Sequence, residues 1–350
     1  MAKNSKKEAN TGYLELTRDL KAGSVKRLYA FYGEERYLLE HSLKRLRDMV
    51  PAGTESFNHH RLEGKSLTMT ELTEAIDALP AFAELTLTEV SDFDLSKLNE
   101  VSRKELLDIL SDIPEYACVV FVFDTVEFKL DGRVKANAEL KKLFTCVDFP
   151  VQEMATLSPW IARHFKAAGK RITRDAVELL VTMTGGLMTN LNMEIEKLTA
   201  YCTGEAVTAP DVEAIVTPVL DAVAYELTDA VLSGNGDLAI QKLGELLLMN
   251  EAPHRILFSV AAKLRQLLCA KICLQNGLGL KDLMRLCDIR YDFQARSVLD
   301  LARRTSLTRC AEMVSLSADT AYKLNSSSQD DGELVREFVV RVLLMREARR

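Results

Sequence analysis

The first 150 residues alternate between short apolar strands and amphipathic helices, and this alternation constrains the fold more than any other feature of the chain. Residues 27–33 are a predicted buried strand that runs into a glycine turn, and residues 34–50 are a predicted helix with one leucine-rich face. Residues 117–123 (ACVVFVF) are the most apolar strand, as expected in the centre of a parallel sheet. The alternation predicts an α/β domain with a doubly wound parallel sheet over residues 1–150.

Strand signals become scarce after residue 150, and the remainder of the chain is predicted to be helical. Ser158 and Pro159 are predicted to start a helix, with the serine as its cap and the proline in its first turn. Gly185 and Gly186 are predicted to stop the helix that follows. We therefore expect a small helical domain over residues 151–216 and an all-helical domain over residues 217–350.

One segment of the first domain joins a predicted helix to a predicted strand through a short tip. Residues 71–79 place apolar side chains at helical spacing, and Pro80 closes this helix because the residue before a proline avoids the α region. In residues 85–88 leucine alternates with threonine, which predicts a half-buried strand. Phe82 lies on the tip between them. It either marks a docking site as an exposed aromatic side chain or folds onto its own sheet.

The glycine turn after the first strand invites comparison with the phosphate loop of nucleotide-binding proteins. That loop has the pattern G-x-x-x-x-G-K-[ST], because backbone amides cradle the phosphates and the lysine reaches the outer ones. After Gly33, the positions of the second glycine and the lysine are held by Leu38 and Leu39. Two carboxylates, Glu34 and Glu35, stand where phosphate would lie. The sequence therefore predicts a degenerate nucleotide site that does not bind ATP.

The end of the apolar strand gives a similar result. Asp124 follows this strand, as does the aspartate that orients magnesium in related ATPases, but Thr125 occupies the position of the catalytic acid. Asp124 is explained equally well as a cap at the end of the strand. The sequence contains no G-x-S-x-G elbow and no recognisable histidine triad. We predict no catalytic residue, and we assign Gly33, Glu34, Glu35 and Asp124 to the degenerate site.

Charge and hydropathy exclude several other classes of protein. The net charge of −6 argues against a protein that coats nucleic acid through bulk charge. The apolar runs are too short to span a bilayer, and the first residues lack the apolar segment of a signal peptide, so we expect a cytoplasmic protein without a membrane contact. Cys269 and Cys273 lie one helical turn apart, but no histidine is nearby in sequence, so a core position is favoured over a metal site. We expect no metal and no cofactor.

The order and spacing of several segments resemble the delta subunit of bacterial DNA polymerase III, a clamp-loader subunit. The resemblance extends over nearly the whole chain, and residues 185–201 are its most telling part. The segments that carry it are residues 28–38, 79–82, 118–124, 157–161, 185–201, 225–231 and 264–267.

This resemblance implies an AAA+-like α/β domain without a working phosphate loop, a helical lid domain and a C-terminal helical collar domain. It implies a subunit with no catalytic activity of its own in a DNA-directed DNA polymerase holoenzyme, a nucleotidyltransferase that acts in DNA replication. The implied partners are the ring-shaped beta sliding clamp, the ATP-hydrolysing tau/gamma subunits, the delta-prime subunit and primed DNA. The implied task is to bind the clamp and open one of its interfaces.

The resemblance assigns the clamp contact to the tip formed by Leu79, Pro80, Ala81 and Phe82. Apolar side chains at this tip would enter a pocket on the clamp. Position 81 is often bulky and apolar in the family but is alanine here, so we expect Phe82 to be the main anchor, supported by Leu79 and Pro80.

Two other functions are also compatible with the sequence. One is an active ATPase with a divergent nucleotide site. The other is a helical adaptor that contacts DNA through basic residues of the C-terminal half, although such positions are more often solvated faces. The candidate basic residues are Lys263, Arg265, Lys271, Arg303, Arg304 and Arg309.

Overall fold

The computed structural model describes the backbone of residues 2–129 and 135–345, and the side chains of residues 12–129 and 137–345. This chain divides into two compact units after Val151. The predicted division of the helical part at residue 216 stays a prediction. Within the described residues no helix combines the length and the apolar character needed to cross a membrane.

The first unit contains a five-stranded parallel sheet, counted over its described residues, in the order β2-β3-β4-β1-β5. Its strands are β1 (Leu28–Tyr32), β2 (His59–Glu63), β3 (Thr86–Ser91), β4 (Ala117–Val122) and β5 (Thr145–Asp148). Its helices are α1 (Ala2–Ala22), α2 (Arg36–Arg47), α3 (Glu55–Asn58), α4 (Met69–Asp77), α5 (Glu100–Ser111) and α6 (Lys135–Leu143), with a 3-10 turn at Leu95–Lys97.

Helices cover both faces of this sheet, which confirms the predicted doubly wound α/β architecture. Successive residues of a strand point to opposite faces, so Ala30 and Phe31 belong to two different cores. One core packs the sheet against α4, α5 and α6, and the other packs it against α1 and α2. Every residue of β4 is buried, as predicted for a central strand.

Strand β3 is more deeply buried than its sequence pattern predicts. Its first five residues are all buried, so the expectation of a half-buried strand is wrong. Thr86 and Thr88 are accommodated because their hydroxyl groups donate to backbone carbonyls: Thr86 to Tyr116 at 3.4 Å and Thr88 to Ala75 at 3.2 Å. Each hydrogen bond offsets the cost of burying the hydroxyl group, so both threonines are tolerated inside the sheet.

As far as residue 345, where the description of the structure ends, the second unit is helical apart from one short strand pair. Its elements are α7 (Met154–Ala167), β6 (Arg171–Ile172), α8 (Arg174–Thr184), α9 (Met188–Tyr201), β7 (Ala206–Val207), α10 (Ala209–Ile215), α11 (Leu220–Ser233), α12 (Gly236–Leu248), α13 (Pro253–Gln275), α14 (Leu280–Leu286), α15 (Asp292–Arg304), α16 (Leu307–Ser326) and α17 (Asp331–Leu344). Helices α11–α17 enclose one continuous apolar core. The parallel pair β6–β7 was not predicted, because two residues are too few to show a period.

One helix start was predicted wrongly and one helix end correctly. Helix α7 begins at Met154 and carries Pro159 in its interior, so Ser158 is not its cap. Because proline has no backbone N–H, residue 159 donates no hydrogen bond within this helix. Helix α8 ends where predicted, with Gly185 in the left-handed conformation at φ 71°.

Candidate functional site

The predicted tip lies at the amino edge of the parallel sheet. Strands β2 and β3 pair with His59 opposite Leu87, so the residues that precede these two strands meet at the same edge. Asn58 precedes β2, and residues 78–85 precede β3. The sheet therefore brings α3 next to the segment that joins α4 to β3.

The apolar side chains of this tip are directed into solvent. Phe82 is 94% exposed and Leu79 is 75% exposed, whereas Pro80 and Ala81 are half-buried. The exposure of Phe82 rules out the alternative in which its ring folds onto its own sheet. The prediction that Leu79 belongs to the apolar stripe of the helix is wrong, because α4 ends two residues earlier, at Asp77. There the Tyr116 hydroxyl group donates to the Asp77 carbonyl oxygen at 3.2 Å and helps to satisfy the helix end.

A buried asparagine holds the backbone of the tip. The Asn58 amide nitrogen donates to the Ala81 carbonyl oxygen at 2.8 Å, and the Asn58 Oδ1 accepts from the Ala81 amide at 2.7 Å. Asn58 is completely buried. Phe82, which follows Ala81, has a φ of 58°, a left-handed conformation that costs a non-glycine residue about 1–2 kcal/mol. Asn58 could not be predicted from the sequence, since its partner is 23 residues away and Asn58 itself belongs to no motif.

The loop that corresponds to a phosphate loop is closed by its own sheet. Gly33 has a φ of 129° and lies so close to β5 that a Cβ atom there would be 2.5 Å from the Phe149 carbonyl oxygen. The Glu35 amide donates to that same oxygen at 2.8 Å, so it is already used within the protein. Glu35 itself is completely buried immediately before α2. Burial raises the pKa of Asp148 at the same edge, and the charge of Glu34 raises it further. This acidic edge disfavours a phosphate group.

The aspartate after β4 is exposed but is engaged by a neighbouring cation. Asp124 forms an ion pair with Arg36, the first residue of α2. The carboxylate of Asp92 accepts hydrogen bonds from the amides of Asp124, Thr125 and Val126 and from the Thr125 hydroxyl group. The structure thus brings together the four predicted residues of the degenerate site at the carboxyl edge of the sheet, and adds Asp92, which no sequence motif marks.

Three of the basic residues considered for DNA binding, Lys263, Lys271 and Arg303, have contacts within the helical unit. The Lys263 ammonium group lies 5.0 Å from the centre of the Tyr225 ring, and burial lowers its pKa. Lys271 donates to the Ala302 carbonyl oxygen at 3.0 Å, and Arg303 pairs with an aspartate on its own helix. These contacts are typical of cations that stabilise a helical bundle.

His59 and His60, the two adjacent histidines at the start of β2, do not form a metal site either. His59 Nε2 lies 2.6 Å from the Glu89 carboxylate, and that carboxylate also accepts two hydrogen bonds from Arg47. Across the described side chains no group of three or more histidine, cysteine, aspartate or glutamate residues is arranged to hold a metal ion.

Comparison with known proteins gives a consistent result. The family model "DNA polymerase III, delta subunit" matches residues 29–149, and the model of the C-terminal domain of the same subunit matches residues 221–342. The DNA polymerase III subunit delta of Bacillus subtilis is 24% identical over 340 residues, which cover 95% of this chain and 97% of that protein. The probable delta subunit of Aquifex aeolicus is 23% identical over 195 residues, 53% of each chain.

A solved structure shares the overall fold. The Bacillus subtilis DNA clamp loader delta protein superimposes with a TM-score of 0.56 at 23% identity, covering 95% of this chain and 99% of that one. The five-stranded parallel sheet and the helical C-terminal part agree with this likeness. Because the two family models together span most of the sequence, the chain belongs to the family of DNA polymerase III delta subunits, which are clamp-loader components of DNA replication.

Proposed function

We propose that this chain is the non-catalytic clamp-loader subunit that binds the beta sliding clamp through the Leu79–Phe82 tip and opens one interface of the ring. The observation that carries the proposal is the state of Phe82, whose ring is 94% exposed on a backbone fixed by buried hydrogen bonds. Leu79, three residues earlier, is 75% exposed as well, and exposed apolar side chains that lie together mark interaction sites. The sheet beneath the tip supplies a rigid support.

The contact is expected to depend mainly on Phe82. Burying a phenylalanine side chain contributes roughly 1.5–3 kcal/mol. Leu79 is the second apolar group, since it is 75% exposed beside Pro80. Ala81 contributes little area, and its backbone groups are already used by Asn58. The proposed contact therefore has one aromatic anchor and one aliphatic support.

The proposal assigns ATP hydrolysis to other subunits. The closed loop at Gly33, the buried Glu35 and the Arg36–Asp124 ion pair leave no amide cradle or free aspartate for a nucleotide and its magnesium. In this proposal the partners are the tau/gamma ATPases, the delta-prime subunit and primed DNA, and the protein acts in the cytoplasm. Neither an active ATPase nor a separate DNA-binding adaptor is favoured by an observation in the structure.

Clamp binding by Phe82→Ala tests the proposal. In calorimetric titration of the purified chain with the purified clamp, we expect the variant to lose about 2–4 kcal/mol of binding free energy, at least tenfold in affinity. Phe258→Ala is the matched control, because Phe258 is 68% exposed on α13 in the other unit and should leave the affinity unchanged. Equal affinities of Phe82→Ala and the unmodified chain would contradict the proposal.

A further inference from the structure

The side chain of Asn58 holds one residue of the tip, Ala81, by both of its backbone polar groups. Both polar groups of the Asn58 side chain bond to the same residue, at 2.8 Å and 2.7 Å. Asn58 is completely buried, so water does not compete for these hydrogen bonds. With both backbone groups of Ala81 engaged, the position and the orientation of this residue are fixed relative to the sheet.

Fixing Ala81 determines where the next side chain goes. Phe82 has a φ of 58°, which a bulky residue seldom adopts, and its exposed ring makes no core contact that would hold it there. An exposed loop with such a residue ordinarily samples several conformations. The left-handed backbone at Phe82 is therefore maintained by its neighbours, and the Asn58 hydrogen bonds are the buried contacts closest to it.

We infer that Asn58 is a positioning residue for the contact with the clamp: it holds the Leu79–Phe82 tip in the conformation that presents Phe82 to its pocket. This inference rests on the proposed function. Asn58 does not touch the partner, because it is buried beneath the tip. It raises affinity by removing the ordering cost of the loop from the binding step.

Asparagine is the side chain that fits this task. The Ala81 carbonyl oxygen needs a donor and the Ala81 amide needs an acceptor, and a short side-chain amide supplies both. Asn58→Asp keeps an acceptor but places a carboxylate oxygen against the carbonyl oxygen of Ala81. Asn58→Ala removes both partners. Both substitutions are expected to release the tip.

A double-mutant cycle with Phe82 separates positioning from a general loss of stability. If the released tip is binding-competent about a tenth of the time, the apparent affinity for the clamp falls about tenfold. We therefore expect Asn58→Ala to weaken clamp binding about tenfold when Phe82 is present. In the Phe82→Ala background, the same substitution should change affinity less than about twofold, because no anchor remains to be positioned.

Thr88→Val is the matched control for the loss of a buried hydrogen bond. It removes the 3.2 Å bond from the Thr88 hydroxyl group to the Ala75 carbonyl oxygen, in the same sheet region but away from the tip. This variant should unfold at a lower temperature than the unmodified chain and should bind the clamp with an affinity within about twofold of it.

The possible results lead to different conclusions. If Phe82→Ala weakens binding but a folded Asn58→Ala does not, the inference fails and the proposed function stands. An equal loss in both backgrounds of the cycle also overturns the inference, since Asn58 would then act independently of Phe82. If Phe82→Ala has no effect, the proposed function itself fails. Should Asn58→Ala not fold, hydrogen exchange in the unmodified chain decides: a protected Ala81 amide supports the inference, and rapid exchange overturns it.

Discussion

The loop after β4 should depend on one carboxylate, Asp92. Oδ1 of Asp92 accepts from the amides of Asp124 at 2.7 Å, Thr125 at 2.8 Å and Val126 at 3.1 Å, and Oδ2 accepts from the Thr125 hydroxyl group at 2.7 Å. Asp92 also has a left-handed backbone, with a φ of 52°. An asparagine tolerates this conformation as well as an aspartate does, so Asp92→Asn changes the charge without changing the backbone preference.

The expected loss of unfolding free energy depends on which of these hydrogen bonds each variant of Asp92 can still form. Asp92→Asn keeps an oxygen for the three amides and loses the charge and the acceptor for Thr125, so we expect a loss of about 1–2 kcal/mol in unfolding free energy. Asp92→Ala removes all four hydrogen bonds. Because the loop is near solvent, water replaces part of the lost bonding, and we expect a loss of about 2–3 kcal/mol.

The effect of Asp92 should also depend on pH. Burial raises the pKa of Asp92, but hydrogen bonds from Thr125 and Val126 and the charge of Arg36 outweigh it, so the pKa lies below the ordinary value of 3.8. A carboxyl group whose pKa is lower in the folded state contributes stability that is complete above its unfolded pKa. That contribution disappears as the pH falls through the folded pKa. The stability difference between the unmodified chain and Asp92→Asn should therefore shrink below about pH 4.

Urea denaturation at a series of pH values between about 7 and 3 measures both quantities. Asp108→Asn is the matched control, because Asp108 is exposed on α5, and this change should alter the unfolding free energy by less than about 0.5 kcal/mol. If Asp92→Asn is as stable as the unmodified chain at neutral pH, the assignment of the loop to Asp92 is refuted.

Two further substitutions test other parts of the first unit. Gly33→Ala should destabilise the chain by about 3 kcal/mol or more in urea denaturation, because its Cβ would lie 2.5 Å from the Phe149 carbonyl oxygen; a loss below about 1 kcal/mol would contradict this packing. Glu89→Gln should cost about 1.5–3 kcal/mol in the same assay, because the half-buried guanidinium group of Arg47 loses a charged acceptor that is itself buried, whereas Glu40→Gln breaks only an exposed pair at 3.7 Å and should cost less than about 1 kcal/mol. Similar losses from Glu89→Gln and Glu40→Gln would show that the buried network has no special role.

The sequence predicts the architecture well where burial follows periodicity. The alternation of apolar strands and helices gives the doubly wound sheet, and the uninterrupted apolar run of β4 gives its central strand. Periodicity fails for β3, because Thr86 and Thr88 look polar in sequence but bond to backbone carbonyls inside the sheet. It also places Leu79 on a helix that has already ended at Asp77.

The candidate site is predictable only in part, for a similar physical reason. Phe82 stands out in sequence because it has no place in a helical or strand pattern, and its exposure agrees with that expectation. Asn58 and Asp92 act through hydrogen bonds to backbone groups 23 to 34 residues away. Backbone groups carry no sequence identity, so nothing in the chain marks which residue such a side chain will hold.

The predicted degenerate nucleotide site and the proposed clamp-binding tip lie at opposite edges of the sheet. In a parallel sheet all carboxyl ends of strands share one edge, where nucleotides bind in related folds; here that edge contains Gly33, Asp92 and Asp124. The tip and Asn58 precede β3 and β2 and therefore lie at the amino edge. Closing the nucleotide edge with internal hydrogen bonds does not require any change at the tip. The proposed clamp contact is therefore independent of the internal hydrogen bonds that close the opposite edge of the sheet.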